Sequence, residues 1–150
     1  MSLLCRAEQE VKTQEYPLNE GDIRWLAKVA DTAAILRTSV QQDRQGHILS
    51  LPEPEVGTEL AQGFSRIAKG LQCLVLDDWK PYIKRLAWDC MLSIRVELLK
   101  CLLKGLQTVS QLEQATGIAQ RTIYYHIEEL EMLKVVKDNN GTIELIISLP

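Results

Sequence analysis

Thr108-Val109-Ser110-Gln111 sets a hydroxyl three residues ahead of a Gln, the capping-box start of a helix, where the two side chains satisfy orphan backbone N–H groups reciprocally. Other residues with narrow backbone demands surround it at short intervals. Leu98, Leu99, Leu102 and Leu103 recur at helical spacing upstream. Gly105 ends that helix, since Gly takes a left-handed cap at no steric cost. The capped helix carries Val109, Leu112 and Ala115 inward. Gly117 turns the chain into a second helix, about Gln120 to Leu133, with an inward stripe of Ile123, Ile127 (or His126), Leu130 and Leu133. Two β-branched runs follow, Lys134 to Lys137 and Thr142 to Leu149, around Asp138-Asn139-Asn140-Gly141. Asn-Gly is the favoured pair of a two-residue hairpin turn. Helix, capped helix, glycine turn, helix, hairpin is an order that few folds share.

It is the order of a winged helix-turn-helix, and residues 111–136 resemble the winged-helix family of transcriptional regulators over their whole length. Thr116-Gly117-Ile118 resembles the turn. Arg121-Thr122-Ile123-Tyr124 resembles the start of a recognition helix. Leu130-Glu131, Leu133 and Val135-Val136 resemble the exit into the wing. The resemblance implies double-stranded DNA as partner. The recognition helix would turn Gln120, Arg121, Thr122, Tyr124, Tyr125 and Glu128 toward the major groove, and the wing would offer Lys134, Lys137, Asn139 and Asn140. Arg pairs bidentately with guanine and Gln with adenine, while Tyr reaches phosphate. Thr122 reads better as a helix-start group than as a base reader. Of the two tyrosines, one is expected to lean inward and one outward. Ala119 stands where a capping Ser is usual, which costs that helix start about 1 kcal/mol.

Upstream, residues 1–18 alternate charged and polar types, with a short helix expected around Ala7 to Val11, until Pro17 breaks any helix. Asn19-Glu20-Gly21-Asp22 is a helix start with a capping Asn and early acids. Its helix is expected to reach Gln41 or Gln42, with Ile23, Leu26, Ala30, Ala33 or Ala34, Arg37 and Val40 tracing its faces and Trp25 at the rim. Gln42 to Gly46 reads as a turn, His47 to Leu51 as extended, and Pro52-Glu53-Pro54-Glu55 as non-helical. A second helix follows from Gly57-Thr58 to about Leu76, with a stripe of Val56, Leu60, Phe64, Ile67 and Leu71. Gly63 and Gly70 near that stripe suit a close helix approach. Asp77-Asp78 and Pro81 start a third helix through Tyr82 or Ile83, Leu86, Ala87, Cys90 and Met91. Ser93 either caps the next helix or sits where the two run on with a kink. The fold class is therefore mainly α. A lead-in (1–18) and a three-helix region (19–92) precede a winged helix-turn-helix with a small C-terminal β-hairpin (93–150).

The segment from Asn19 to Leu76 resembles the small helical lid of an AAA+ ATPase. An Ala-rich first helix, an excursion, and a second helix after a Pro-rich phrase, ending near Ala68-Lys69-Gly70-Leu71, carry the likeness. It implies the C-terminal part of a larger ATPase, with an ATPase domain upstream as a partner in the full-length protein. The opening Met1-Ser2-Leu3 leaves room for a longer parent. The chain has no Gly-x-x-x-x-Gly-Lys-Ser/Thr phosphate loop; Lys12-Thr13 has no glycine ahead of it. Glu59 stands where a nucleotide-touching lid arginine is expected, although Arg66 is on the same helix. Arg37 and Arg44 read as solvated or salt-bridged, with a nucleotide domain elsewhere in a longer protein as the alternative they could face.

No catalytic constellation emerges, so the expectation is a protein without enzymatic activity and without a cofactor. Cys5, Cys73, Cys90 and Cys101 form no Cys-x-x-Cys pair and read as reduced core thiols of a cytoplasmic protein. His47 and His126 lack a Cys or carboxylate at ligand spacing, so no metal site is expected. No apolar run approaches a membrane span. From Ser93 on, six cations (Arg95, Lys100, Lys104, Arg121, Lys134, Lys137) face seven anions (Glu97, Glu113, Glu128, Glu129, Glu131, Asp138, Glu144). A dedicated duplex binder usually has a basic surplus. The leading reading is a DNA-binding, transcription-regulator-like module, with a homodimer through the N-terminal helices as an option. The alternative is an interaction or regulatory module of a larger AAA+ ATPase.

Overall fold

In the computed structural model, residues 17–42, 48–50, 57–74, 78–105 and 107–147 are described. Several expectations lie outside them: the helix near Ala7, Lys12-Thr13, Arg44 and the turn after Gln42, His47, Pro52 to Val56, Cys5, Asp77, and the last hairpin residues. Six helices and four short strands occur among the described residues: α1 (Glu20–Arg37), β1 (Gln41–Gln42), β2 (Ile48–Ser50), α2 (Thr58–Cys73), α3 (Lys80–Asp89), α4 (Ser93–Leu103), α5 (Val109–Thr116), α6 (Gln120–Met132), β3 (Val136–Asn139) and β4 (Thr142–Leu145). The mainly helical class with a C-terminal antiparallel hairpin is as expected. The backbone packs as two units. One holds the described residues of 17–33 and 57–88, the other those of 34–50 and 89–147.

In the first unit, Asn19 caps α1 as expected, its Oδ1 accepting from Asp22 N–H at 2.8 Å. Leu26, Val29, Ala30 and Ala33 of α1, Phe64 and Ala68 of α2, Trp79 just ahead of α3, and Ile83 and Ala87 of α3 are buried. Gly57 is required for space: a Cβ there would lie 2.8 Å from Asp31 N and 2.9 Å from Ala30 C. Gly63 and Gly70 have open space instead, so they do not serve the close approach expected of them. Ile23 and Ile67 are exposed, and the buried stripe of α2 runs through Phe64 and Ala68. Trp25 is half-buried and meets Trp79 edge-on at 5.8 Å. Lys80 lies over both rings and pairs with the nearly buried Asp22 at 2.8 Å. Helix α2 stops at Cys73, with Leu74 in the cap position, short of Leu76.

Helix α1 stops at Arg37, short of the expected end at Gln41 or Gln42. Thr38 is responsible locally. Its hydroxyl donates to Ala34 O at 2.8 Å and its N–H tightens onto Ile35 O. β-Branched Thr38 and Val40 are also poor helix formers. Gln41 and Gln42 then pair antiparallel with Ser50 and Ile48. The extended reading of His47 to Leu51 holds over Ile48–Ser50.

The second unit is built around α4–α6 and the β3–β4 hairpin. Leu98, Leu99, Leu112, Ile123, Leu130, Val135, Val136 and Ile143 are almost wholly buried. Ser93 does not cap α4. It is the first helical residue, Leu92 takes the cap position in extended conformation, and a break at 90–92 separates α3 from α4. Cys73 and Cys101 are buried free thiols, but Cys90 is exposed, because it falls in that break rather than on an apolar stripe.

Candidate nucleic-acid interface

The local sequence sets the α5–α6 turn. Thr108 Oγ1 accepts from Gln111 N–H at 3.3 Å, and Gln111 Oε1 accepts from Thr108 N–H at 3.0 Å. Gly117 ends α5 at φ 72°, and its N–H closes on Glu113 O. Thr116 steadies the turn from inside, donating to Leu112 O at 2.7 Å and accepting from Ile118 N–H at 3.2 Å. Ala115 is exposed, so Val109 and Leu112 alone make the inward face of α5. Ala119 takes the cap position of α6 with no side-chain bond, as its type requires.

Helix α6 has three faces. Ile123, Ile127 and Leu130 are buried, with Leu133 just beyond the helix end. This is the predicted stripe, and Ile127 takes the position left open with His126. A second face is exposed and holds Arg121, Tyr124 and Glu128. Tyr124 is 51% exposed. Tyr125 is half-buried, and its hydroxyl accepts from Arg121 Nε at 3.0 Å, with the guanidinium 5.6 Å over its ring. Tyr125 thus pre-positions Arg121. Gln120 is exposed but donates to Glu113. Thr122 is half-buried, and its N–H bonds back to Ala119 O in the first turn.

The hairpin follows with Lys134 in the left-handed region at φ 57°. β3 and β4 pair from Val136–Leu145 to Asn139–Thr142. Asn140 and Gly141 form the two-residue loop, both at positive φ, as a type I′ turn demands. Asp138 Oδ1 accepts from Gly141 N–H at 2.7 Å. Lys137 is exposed opposite Glu144, and Asn139 Nδ2 donates to that same Glu144 at 3.0 Å. β3 begins at Val136, two residues after the expected start at Lys134, because Lys134 takes a left-handed turn. Ile143 N–H donates to Gln107 O at 2.7 Å, tying the wing to the start of α5.

The third face of α6 was missed. His126 Nδ1 lies 2.9 Å from Glu129 Oε2, a carboxylate one turn away on the same helix, so His126 does have a carboxylate at i+3 spacing. The same oxygen accepts from Arg95 Nη2 at 3.0 Å. Arg95 is wholly buried, and its Nη1 donates to Leu36 O at 2.9 Å and Thr38 O at 2.8 Å. Burial alone would raise the Glu129 pKa. Hydrogen bonds from His126 and Arg95, and their charges, outweigh it and hold the carboxyl below its usual range. A signal existed: Arg95 falls three and four residues before Leu98 and Leu99, inside the apolar stripe of its helix.

The charge count changes in kind as well. Arg95 and Glu129 neutralise each other internally. Glu113 accepts from Gln120, and Glu131 from Asp138 N–H. Among the acids of α6, Glu128 stands on the face of Arg121 and Tyr124, one turn beyond Tyr124. No group of three or more His, Cys, Asp or Glu among the described residues is placed to hold a metal ion. No described helix is long and apolar enough to cross a membrane.

Capped helix, left-handed glycine turn, second helix and antiparallel hairpin, closed over one apolar core, define a winged helix-turn-helix domain. Residues 93–138 match the family model described as bacterial regulatory protein, arsR family. No curated protein and no solved structure matches the chain. The family match begins at residue 93, so the likeness of 19–76 to an ATPase lid gains no support from it.

Proposed function

We propose that this chain binds double-stranded DNA through α6 and the β3–β4 hairpin, as a transcription-regulator-like module without catalytic activity of its own. The observation that carries this reading is the exposed Arg121–Tyr124 face on a domain matching a family of bacterial regulatory proteins. Arg121, braced by Tyr125, and Gln120 lie at the start of α6, where a recognition helix contacts base edges. Thr122 serves the helix start. Lys134, Lys137 and Asn139 supply phosphate or minor-groove contacts from the wing. A few cations on one domain give weak binding, because affinity grows with the number of phosphates neutralised. A homodimer doubles that number and belongs to this reading, as does a cytoplasmic location. The test is titration of labelled duplex DNA with the protein at low and rising salt. Salt-sensitive binding supports the reading, and absence of binding at low salt overturns it.

The near balance of charge favours one second reading, a protein-interaction module. There the face of Tyr124, Glu128 and Met132 takes a protein partner, all three being exposed. Glu128→Gln separates the two: removing a repelling carboxylate leaves duplex binding unchanged or stronger, whereas a partner that uses the acid is lost.

A further inference from the structure

We infer that Arg95 and Glu129 are positioning residues for base reading, which fix how α6 is rolled within its domain and so which side chains reach the groove. This rests on the duplex-binding reading above. Helix α6 is anchored along two lines. The first is the stripe of Ile123, Ile127 and Leu130. Apolar burial is non-directional, so such a stripe tolerates small rolls about the helix axis. The second line is directional. Arg95 Nη1 is held by two main-chain carbonyls, Leu36 O and Thr38 O, which lie outside α4–α6. The guanidinium is planar and fixed by those bonds, so it cannot follow Glu129; Glu129 must come to it. His126 holds the same carboxylate oxygen from the neighbouring turn of α6.

The geometry links this line to the exposed face. At about 100° per residue, Arg121 and Glu129 are separated by about 80° around the axis. A roll of about 10° moves a side-chain tip roughly 6 Å off the axis by about 1 Å. That is enough to break a hydrogen bond to a base edge, whose useful range spans only about half an ångström. A phosphate contact carries no sequence information and survives the same shift through a flexible side chain. Loss of the Arg95–Glu129 anchor therefore predicts lost discrimination among sequences, with general DNA affinity kept.

The experiment selects a preferred duplex from short duplexes of randomised sequence with the wild-type protein. Affinities for that duplex and a scrambled one are then measured for wild type, Arg95→Lys and Glu129→Gln, at a temperature where circular dichroism shows each folded. Lysine keeps the charge but cannot hold two carbonyls and a carboxylate in one planar fork. Arg95→Lys is expected to bind the selected duplex roughly tenfold more weakly, the scale of one mismatched base pair. Its affinity for the scrambled duplex stays within about twofold. Should Arg95→Lys not fold, Glu129→Gln gives the same comparison, since it keeps the shape of the side chain while its neutral amide replaces the charge-assisted anchor with a weaker bond. A merely structural role scales both affinities together through the folded fraction, and that result, or no change in either, overturns the inference. So does a wild-type protein that binds duplex yet selects no sequence. A wild-type protein that binds no duplex marks instead the failure of the DNA-binding reading itself.

Discussion

Arg95 and Glu129, 34 residues apart in sequence, meet at 3.0 Å with the arginine wholly buried. A buried charge is costly unless it is paired and its remaining hydrogen-bonding capacity met. Here two carbonyls and a carboxylate take three N–H groups of one guanidinium, while its buried Nε–H has no partner among the described residues. Helix α6 therefore shares a polar anchor with the Leu36–Thr38 segment.

That anchor makes stability depend on pH in a stated direction. The Glu129 carboxyl is held below its ordinary value by His126 and Arg95, against the effect of burial. Its contribution is fully present above the unfolded carboxylate pKa, about 4.3, and is lost as pH falls through the lower folded value. Urea denaturation of wild type and Glu129→Gln across pH should show the largest stability difference near neutrality. The difference should shrink steadily below about pH 4.3. A constant difference at every pH would show that the charge on Glu129 contributes nothing.

Lys134 holds a left-handed backbone that costs a non-glycine residue roughly 1–2 kcal/mol. Lys134→Gly removes that cost but adds unfolded-chain entropy of about 0.5–1 kcal/mol, so the net change is a stability equal to or slightly above wild type. The same substitution deletes a cation beside the wing and should weaken duplex binding and lower its salt slope by about one. Thermal melting and a salt titration check the two halves separately. Lost stability would mean that the Lys134 side chain contributes packing that outweighs its backbone strain.

Thiol accessibility separates the three described cysteines. Cys90 is exposed, while Cys73 and Cys101 are buried. In native protein Cys90 should react with an aromatic disulfide reagent well before the other two, which should wait for unfolding. Peptide mapping after partial labelling reads this directly. Prompt labelling of Cys101 would indicate a looser α4 than described.

The winged-helix half was legible because its signals are local. Thr108 and Gln111 cap one helix start, Gly117 and Gly141 need positive φ, and Asn140-Gly141 fixes the hairpin loop. Each acts within four residues, so spacing alone reveals it. What escaped depends on distant partners. The end of α1 at Arg37 involves Thr38 and carbonyls claimed by Arg95, 57 and 59 residues away. Glu129 counted as a charge opposing DNA because nothing in its neighbourhood announces a buried arginine. Ala115 and Cys90 show that an apolar type at helical spacing does not by itself mean burial: the structure leaves both in solvent.

In the proposed function, the Arg121 face of α6 contacts duplex DNA. Fluorescence anisotropy of a labelled duplex, titrated with wild type and Arg121→Ala over a range of salt, tests it most directly. Wild-type binding should weaken as salt rises, and removal of a base-reading Arg121 should cost roughly 1–3 kcal/mol. Wild-type binding that is absent at low salt, or an Arg121→Ala curve that overlays the wild type, would contradict it.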